Sequence, residues 1–153
     1  MKKTLYTHEN LIGDLNVITN QIQKNNYNPT AILGITRGGI IPAALLSQWF
    51  NIPLYTYQCS LRDHVNAPAN KETLNLMSKY NVLVVDDICD SGETLKQVTD
   101  ALSPYQCYPR TAVLHYNLGQ DIFQPTFYAN EINKCENDVW ITYYWEQYWK
   151  NNE

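Results

Sequence analysis

Asp86 and Asp87 stand side by side directly after the apolar run Val82-Leu83-Val84-Val85, and Asp90-Ser91-Gly92-Glu93-Thr94 follows three residues later. Adjacent carboxylates repel each other unless something positive or hydroxyl-rich lies between them. The 2′ and 3′ hydroxyls of a ribose are such donors, and magnesium carried on a pyrophosphate is a matching cation, since it takes few protein carboxylates. Gly92 lets the backbone turn tightly and approach a ligand. Ser91 and Thr94 bring hydroxyls to the expected start of a helix, where exposed N–H groups and the helix dipole attract an anion such as a 5′-phosphate. The whole stretch suits a sugar that carries phosphates.

A second loop repeats the logic. Ala31-Ile32-Leu33-Gly34-Ile35 leads into Thr36-Arg37-Gly38-Gly39, and the apolar segment Ile40-Ile41-Pro42-Ala43-Ala44 follows. Paired glycines free the backbone to aim successive N–H groups inward as an anion nest. Arg37 adds a permanent charge on a fork suited to phosphate oxygens.

These loops need strands to lead into them and helices to lead away. Val82–Val85 lacks alternation, as expected for a strand covered on both faces of a parallel sheet, with Asp86 and Asp87 beyond its end. Leu95, Val98 and Leu102 recur at helical spacing, and Pro104 fits just past that helix. Leu11, Leu15, Ile18 and Ile22 share one face of an N-terminal helix, with Thr7 as its N-cap. Strands are expected after Pro29-Thr30, over Pro53–Tyr57, over Thr111–His115 and at Phe127-Tyr128-Ala129, and a helix over Gly39–Phe50. Strand–helix alternation of this kind implies an α/β fold: a mostly parallel twisted sheet with helices on both faces. Residues 60–72 lose apolar periodicity and hold Arg62, His64 and Lys71, as expected of a functional or solvated loop.

The chain has 153 residues and a formal net charge of −4. That size suits one domain, 1–153, and the charge argues against broad nucleic-acid binding. No apolar run approaches transmembrane length and no secretory signal follows Met1-Lys2-Lys3, so a cytoplasmic protein with no membrane contact is expected. Cys59, Cys89, Cys107 and Cys135 are widely spaced and His8, His64 and His115 scattered, which suggests neither a disulfide framework nor a zinc site. Cys89 reads as packing rather than as a nucleophile.

The two loops together resemble the phosphoribosyl-pyrophosphate (PRPP) signature of the type I phosphoribosyltransferases. Near the C-terminus, Asp138-Val139-Trp140-Ile141 and Trp145-Glu146 resemble the base-binding hood of the short bacterial xanthine-guanine and archaeal purine members, so the similarity covers nearly the whole chain. The resemblance implies transfer of a phosphoribosyl group from PRPP to a purine base, a 6-oxopurine first, in purine salvage. It places the 5′-phosphate on Asp90, Ser91, Gly92, Glu93 and Thr94, and the pyrophosphate on Thr36, Arg37, Gly38 and Gly39. The family's pyrophosphate loop often holds a non-proline cis peptide, which would here involve Arg37. The ribose, and Mg2+ directly or through water, would fall to Asp86 and Asp87, with Glu146 helping to hold a second Mg2+. Asp90 becomes the candidate general base, and Arg37 stabilises the leaving group. Trp140 would stack the base, and the Ile141 backbone would meet its Watson–Crick edge, in a hood spanning about 117–153. The segment 60–72 would close over the site, with Arg62 or Lys71 reaching the pyrophosphate. A homo-oligomer, dimer or tetramer, is expected.

One position departs from the family. After Leu114-His115-Tyr116 the family has a Lys-Pro pair whose Lys donates to the 6-oxo group; here the pair is Asn117-Leu118. An amide can donate to an oxo group or flip and accept from an amino group. Asn117 therefore leaves open a different base, such as adenine, a modified base or a pyrimidine. A PRPP- or nucleotide-sensing regulator of the same fold is the non-catalytic alternative.

Overall fold

The computed structural model describes residues 1–59 and 71–146. Arg62 and its neighbours in 60–70, like Tyr148 and Trp149, lie outside the described residues. In chain order the elements are β1 (Lys2–Tyr6), α1 (His8–Lys24), β2 (Ala31–Thr36), α2 (Ile40–Phe50), β3 (Leu54–Gln58), α3 (Lys71–Met77), β4 (Val82–Cys89), α4 (Glu93–Leu102), a 3-10 turn (Ser103–Tyr105), β5 (Arg110–Asn117), β6 (Phe127–Ile132) and β7 (Val139–Tyr143).

Five strands form one all-parallel sheet in the order β3-β2-β4-β5-β6. The continuous apolar runs resolve into two faces by simple alternation. Leu33, Ile35, Val82, Val84 and Val113 pack with α3 and α4 on one side, while Ile32, Leu83, Val85, Ala112 and Leu114 pack with α1 and α2 on the other. Each fully buried aliphatic side chain contributes about 1.5–3 kcal/mol. A strand with no polar face is stable only inside such a two-sided sandwich, as the sequence predicts.

The helices form where the pattern places them. In α1, Leu11, Leu15, Ile18 and Ile22 are buried, and Thr7 caps the helix. The Thr7 hydroxyl accepts the Asn10 N–H at 3.1 Å while the Asn10 side chain accepts the Thr7 N–H at 2.9 Å. This reciprocal pair satisfies two otherwise orphaned donors. In α4, Leu95, Val98 and Leu102 are buried, and Pro104 sits in the 3-10 turn beyond it.

Three features differ from the sequence expectation. The polar stretch predicted as a loop through Glu72 ends earlier, because Lys71 and Glu72 open α3, whose Leu74 and Met77 are buried three positions apart. The strand predicted over Val82–Val85 runs on to Cys89, so Asp86 and Asp87 lie inside β4 rather than beyond it. Pairing explains why: β2 leaves β4 at Gly34↔Val85, whereas β5 stays paired to Cys89↔Tyr116. Finally, β1 pairs in parallel with β7, from Lys2↔Val139 to Tyr6↔Tyr143, so the first residues of the chain join the segment expected as a C-terminal hood.

The sheet order sets the place of the site. From β2 the chain moves outward to β3, then returns to β4 on the other side of β2. Ligands of open α/β sheets sit at the carboxyl ends of strands where the winding direction reverses. Those ends here are Thr36–Gly39 and Asp86–Thr94. No helix among the described residues is long and apolar enough to cross a membrane.

Gly39 is where backbone meets backbone. A Cβ there would lie 2.5 Å from the Val85 carbonyl oxygen, 2.8 Å from that of Ile35 and 2.9 Å from Asp86 Cα. None of these atoms can swing aside as a side chain would. Gly39→Ala is expected to destabilise the protein by about 1–3 kcal/mol, the usual range for overpacking. A urea-unfolding midpoint equal to that of the parent protein would show that the loop yields.

Candidate active site

A cleft of about 270 Å³ opens at the carboxyl end of β4, with none of Thr36–Gly39 in its lining; it is near the lower bound of small-molecule sites at about 300 Å³. Asp87, Asp90, Ser91, Gly92 and Thr94 line it from the β4–α4 side, and Lys134, Trp140, Ile141 and Glu146 from the β6–β7 side, with Tyr143 and Cys89 also in the lining.

The β4–α4 turn is built around Gly92. Its φ of +87° is a left-handed conformation, and a Cβ would meet Gln120 Oε1 at 2.8 Å and the Phe123 nitrogen at 2.9 Å. The Ser91 hydroxyl accepts the Glu93 N–H at 3.2 Å, and α4 begins there. Hydroxyls and first-turn N–H groups thus border the cleft together, an arrangement that can take a phosphate.

The two acids are not equivalent. Both are buried, at 0% and 1% exposure, yet Asp87 lines the cleft and Asp86 does not. Asp86 Oδ1 accepts the Asp87 N–H at 2.9 Å, and Asp87 Oδ1 accepts the Ile88 N–H at 2.7 Å. The Thr36–Gly39 loop borders this acid pair: a Cβ on Gly38 would collide with the Asp87 carboxylate. The Thr36–Arg37 peptide is cis, as the family resemblance implies. The Thr36 hydroxyl donates to the Tyr57 carbonyl at 3.3 Å, and Arg37 is exposed.

On the opposite side, Trp140 is 49% exposed and offers its ring to the cleft. Ile141 is half-buried in β7, opposite Thr4. Glu146 Oε2 accepts the Tyr143 N–H at 3.2 Å. Asn117 is buried at the end of β5 and is absent from the cleft lining.

Lys134 takes a position that sequence patterning did not assign. Its Nζ lies 2.7 Å from Asp90 Oδ2 and 5.4 Å from the Trp140 ring centroid. The first is an ion pair and the second a cation–π contact. In sequence Lys134 is a lone cation in the polar turn Asn133–Asn137, far from Asp90, and no local signal marks it.

Behind the cleft sits an aromatic support. Tyr143 stacks on Trp145 with centroids 4.9 Å apart and planes 14° apart, and Tyr6 meets both edge-on. The Tyr143 hydroxyl donates to the Asp87 carbonyl at 3.2 Å and contacts His115 Nδ1 at 2.9 Å. A hydroxyl has one proton, and the carbonyl takes it, so His115 Nδ1 must be the donor to Tyr143. Burial first, then the nearby Asp87 and Asp86 carboxylates, push the Tyr143 hydroxyl well above its ordinary range. Cys89, also buried, is pushed up to about 12 by burial, then by Asp86 and Asp90. It stays a thiol at neutral pH, which removes the thiolate that nucleophilic chemistry requires. Among the described residues, no group of three or more His, Cys, Asp or Glu side chains could hold a metal by itself.

Comparison with known proteins follows this geometry. The profile of the phosphoribosyl transferase domain matches residues 1–149. The chain is similar to the xanthine-guanine phosphoribosyltransferase of Cereibacter sphaeroides, 28% identical over 126 residues, which cover 76% of this chain and 68% of that one. It is also similar to the xanthine-guanine phosphoribosyltransferase of Chromohalobacter salexigens, 27% identical over 96 residues, covering 61% of this chain and 58% of that one. In structure it resembles the purine phosphoribosyltransferase from Pyrococcus horikoshii, with a TM-score of 0.75, 24% identity, and coverage of 97% and 96% of the two chains.

His115 gives a pH signature. Burial lowers its pKa below the ordinary value, against the opposing pull of Asp14 and Asp87. The unfolded chain takes up a proton near pH 6.5 that the folded protein refuses. This contribution to stability is therefore complete above about pH 6.5 and is lost as pH falls below it, with a slope of at most about 1.4 kcal/mol per pH unit. Urea unfolding between pH 7 and 5 should show stability declining, and His115→Gln should flatten that decline. An unchanged slope in the variant would exclude His115 as its source.

Proposed function

Because the chain belongs to the phosphoribosyl transferase domain family, we propose that it transfers the phosphoribosyl group of PRPP to a 6-oxopurine (guanine, xanthine or hypoxanthine), releasing pyrophosphate in purine salvage. One observation carries this function. Two loops with anion-binding chemistry end neighbouring strands β2 and β4; the second lines a cleft that also has a half-exposed indole in its lining, and the first packs against the Asp87 carboxylate of that lining.

In this scheme Asp90 to Thr94 hold the 5′-phosphate, and Thr36 to Gly39 hold the pyrophosphate. Asp87 takes the ribose hydroxyls at the cleft, with Asp86 behind it accepting the Asp87 N–H. Trp140 stacks the base, worth about 1–3 kcal/mol in comparable cases, and the Ile141 backbone meets its edge. Holding both reactants in register supplies much of the acceleration. The C1′–oxygen bond breaks and pyrophosphate leaves with the electron pair. The C1′–nitrogen bond forms, and the Asp90 carboxylate receives the proton lost by the purine ring. Arg37 stabilises the charge that gathers on the leaving group.

Mg2+ fits the donor set. Asp87 and Glu146 offer hard carboxylate oxygens in the cleft lining, the ligand type that suits Mg2+. When bound, Mg2+ would offset negative charge on the departing group. We take residues 1–153 as one such domain, with about 117–153 as its hood, and place it in the cytoplasm. A homo-oligomer accords with the exposed Trp49 and with β3 at the sheet edge.

The test is pyrophosphate release with PRPP, Mg2+ and each of guanine, xanthine, hypoxanthine and adenine in turn. Turnover with at least one 6-oxopurine is expected; silence with all three overturns the assignment. Asp90→Asn is expected to lower kcat about 10²–10⁴-fold, the usual range for a general base, while PRPP affinity changes little. Normal turnover at saturating substrate alongside collapsed PRPP affinity would remove Asp90 from proton transfer.

A further inference from the structure

A side-chain amide offers one oxygen with two lone pairs and one nitrogen with two hydrogens. In Asn117 all four are occupied. Oδ1 accepts the backbone N–H of Gly119 at 3.0 Å and of Lys134 at 3.1 Å. Nδ2 donates to Asp90 Oδ1 at 3.1 Å and to the Asp90 carbonyl at 3.3 Å. The orientation is fixed, because two backbone N–H groups cannot donate to an NH₂. A flip would leave both of them, and the Asp90 oxygens, facing the wrong partner. Asn117 has no hydrogen-bonding capacity left for a base, and it is buried at 7% exposure. Its amide ties the turn that carries Lys134 to the loop that carries Asp90.

Lys134 is the polar group that this tie presents to the cleft. Its ammonium has three donors and no acceptor. It stands 2.7 Å from Asp90 Oδ2 and 5.4 Å from the centre of the Trp140 ring. A donor therefore sits beside an acceptor, next to an aromatic face. A 6-oxopurine protonated at N7 carries the complement on one edge, a carbonyl acceptor beside an N–H donor. With Asp90 fixed on the N7 side by its part in proton transfer, a 6-aminopurine would bring its amino group against the ammonium, donor against donor. A site built to hydrogen-bond a given group rejects analogues that lack it.

Resting on the function proposed above, we infer that Lys134, and not Asn117, reads the 6-substituent of the base and confines the substrate class to 6-oxopurines. The cation comes from the turn after β6, a different place in the chain from the end of β5. Asp90 keeps its own part, as the acceptor for the neighbouring ring N–H.

The test uses the full chain and needs no turnover. Calorimetric titration with IMP and AMP compares a 6-oxo with a 6-amino nucleotide on the same ribose phosphate; N7 carries no proton in either, so the pair isolates the 6-substituent that faces Lys134. The parent protein is expected to prefer IMP. Lys134→Met should reduce that preference about 10–100-fold by weakening IMP, the range for losing a hydrogen bond to a charged group. AMP affinity should hold or rise, because the variant removes a donor that its amino group cannot use, and retained AMP binding controls for general damage to the site. Lys134→Arg, which keeps donors and charge, should retain a preference for IMP. An IMP/AMP ratio unchanged in Lys134→Met, with both nucleotides still bound, overturns the inference while the function stands. Binding of neither nucleotide by the parent protein overturns the proposed function and this inference with it.

Discussion

The constraint on which the site depends is that β4 outruns β2. As far as Val85 the strand has neighbours on both sides; from Asp86 to Cys89 it keeps only β5. A half-paired strand in a protein interior must find other partners for its backbone groups. The Asp86 and Asp87 carboxylates each take the next N–H along the chain, and the Tyr143 hydroxyl takes the Asp87 carbonyl. The gap beside the strand admits the Gly38–Gly39 turn, which packs against it with no room for a Cβ. The same irregularity thus buries two acids, seats the Thr36–Gly39 loop beside them and anchors β7 from the other side.

Much of this was legible in the sequence, for physical reasons. Val82–Val85 and Ala31–Ile35 have no polar face, so only a strand covered on both sides can house them. Leu11, Leu15, Ile18 and Ile22 admit one helix face, and Thr7 one beginning. Gly38, Gly39 and Gly92 announce turns because other residues would clash or adopt unfavourable torsions. These are local rules, and each needs only a window of a few residues.

What escaped depends on partners far away in the chain. Four of the five residues of β1 are exposed, so their pattern carries no strand signal; only pairing with Val139–Tyr143 makes them one. The full length of β4 follows from how far β5 accompanies it, not from its own residues. Lys134 acquires meaning only through Asp90 and Trp140, which reach it from other elements. Asn117 is instructive in the opposite sense: its identity was noticed, but its hydrogen-bond partners decide what it can do, and those appear only once the fold is closed.

The pairing of β1 with β7 also bears on how the protein is made. The Thr36–Gly39 and Asp90–Thr94 loops lie on strands close in sequence, and their contacts can form as soon as β2 to β5 have been synthesised. The parallel ladder that carries Trp140 joins Lys2 to Val139, so its first strand must wait, unpaired, until Val139–Tyr143 has been synthesised. Closing so long a loop delays contacts that gain stability only after closure. The cleft is expected to mature in two stages, with its β4–α4 side assembled first and its aromatic side added once β7 has been made.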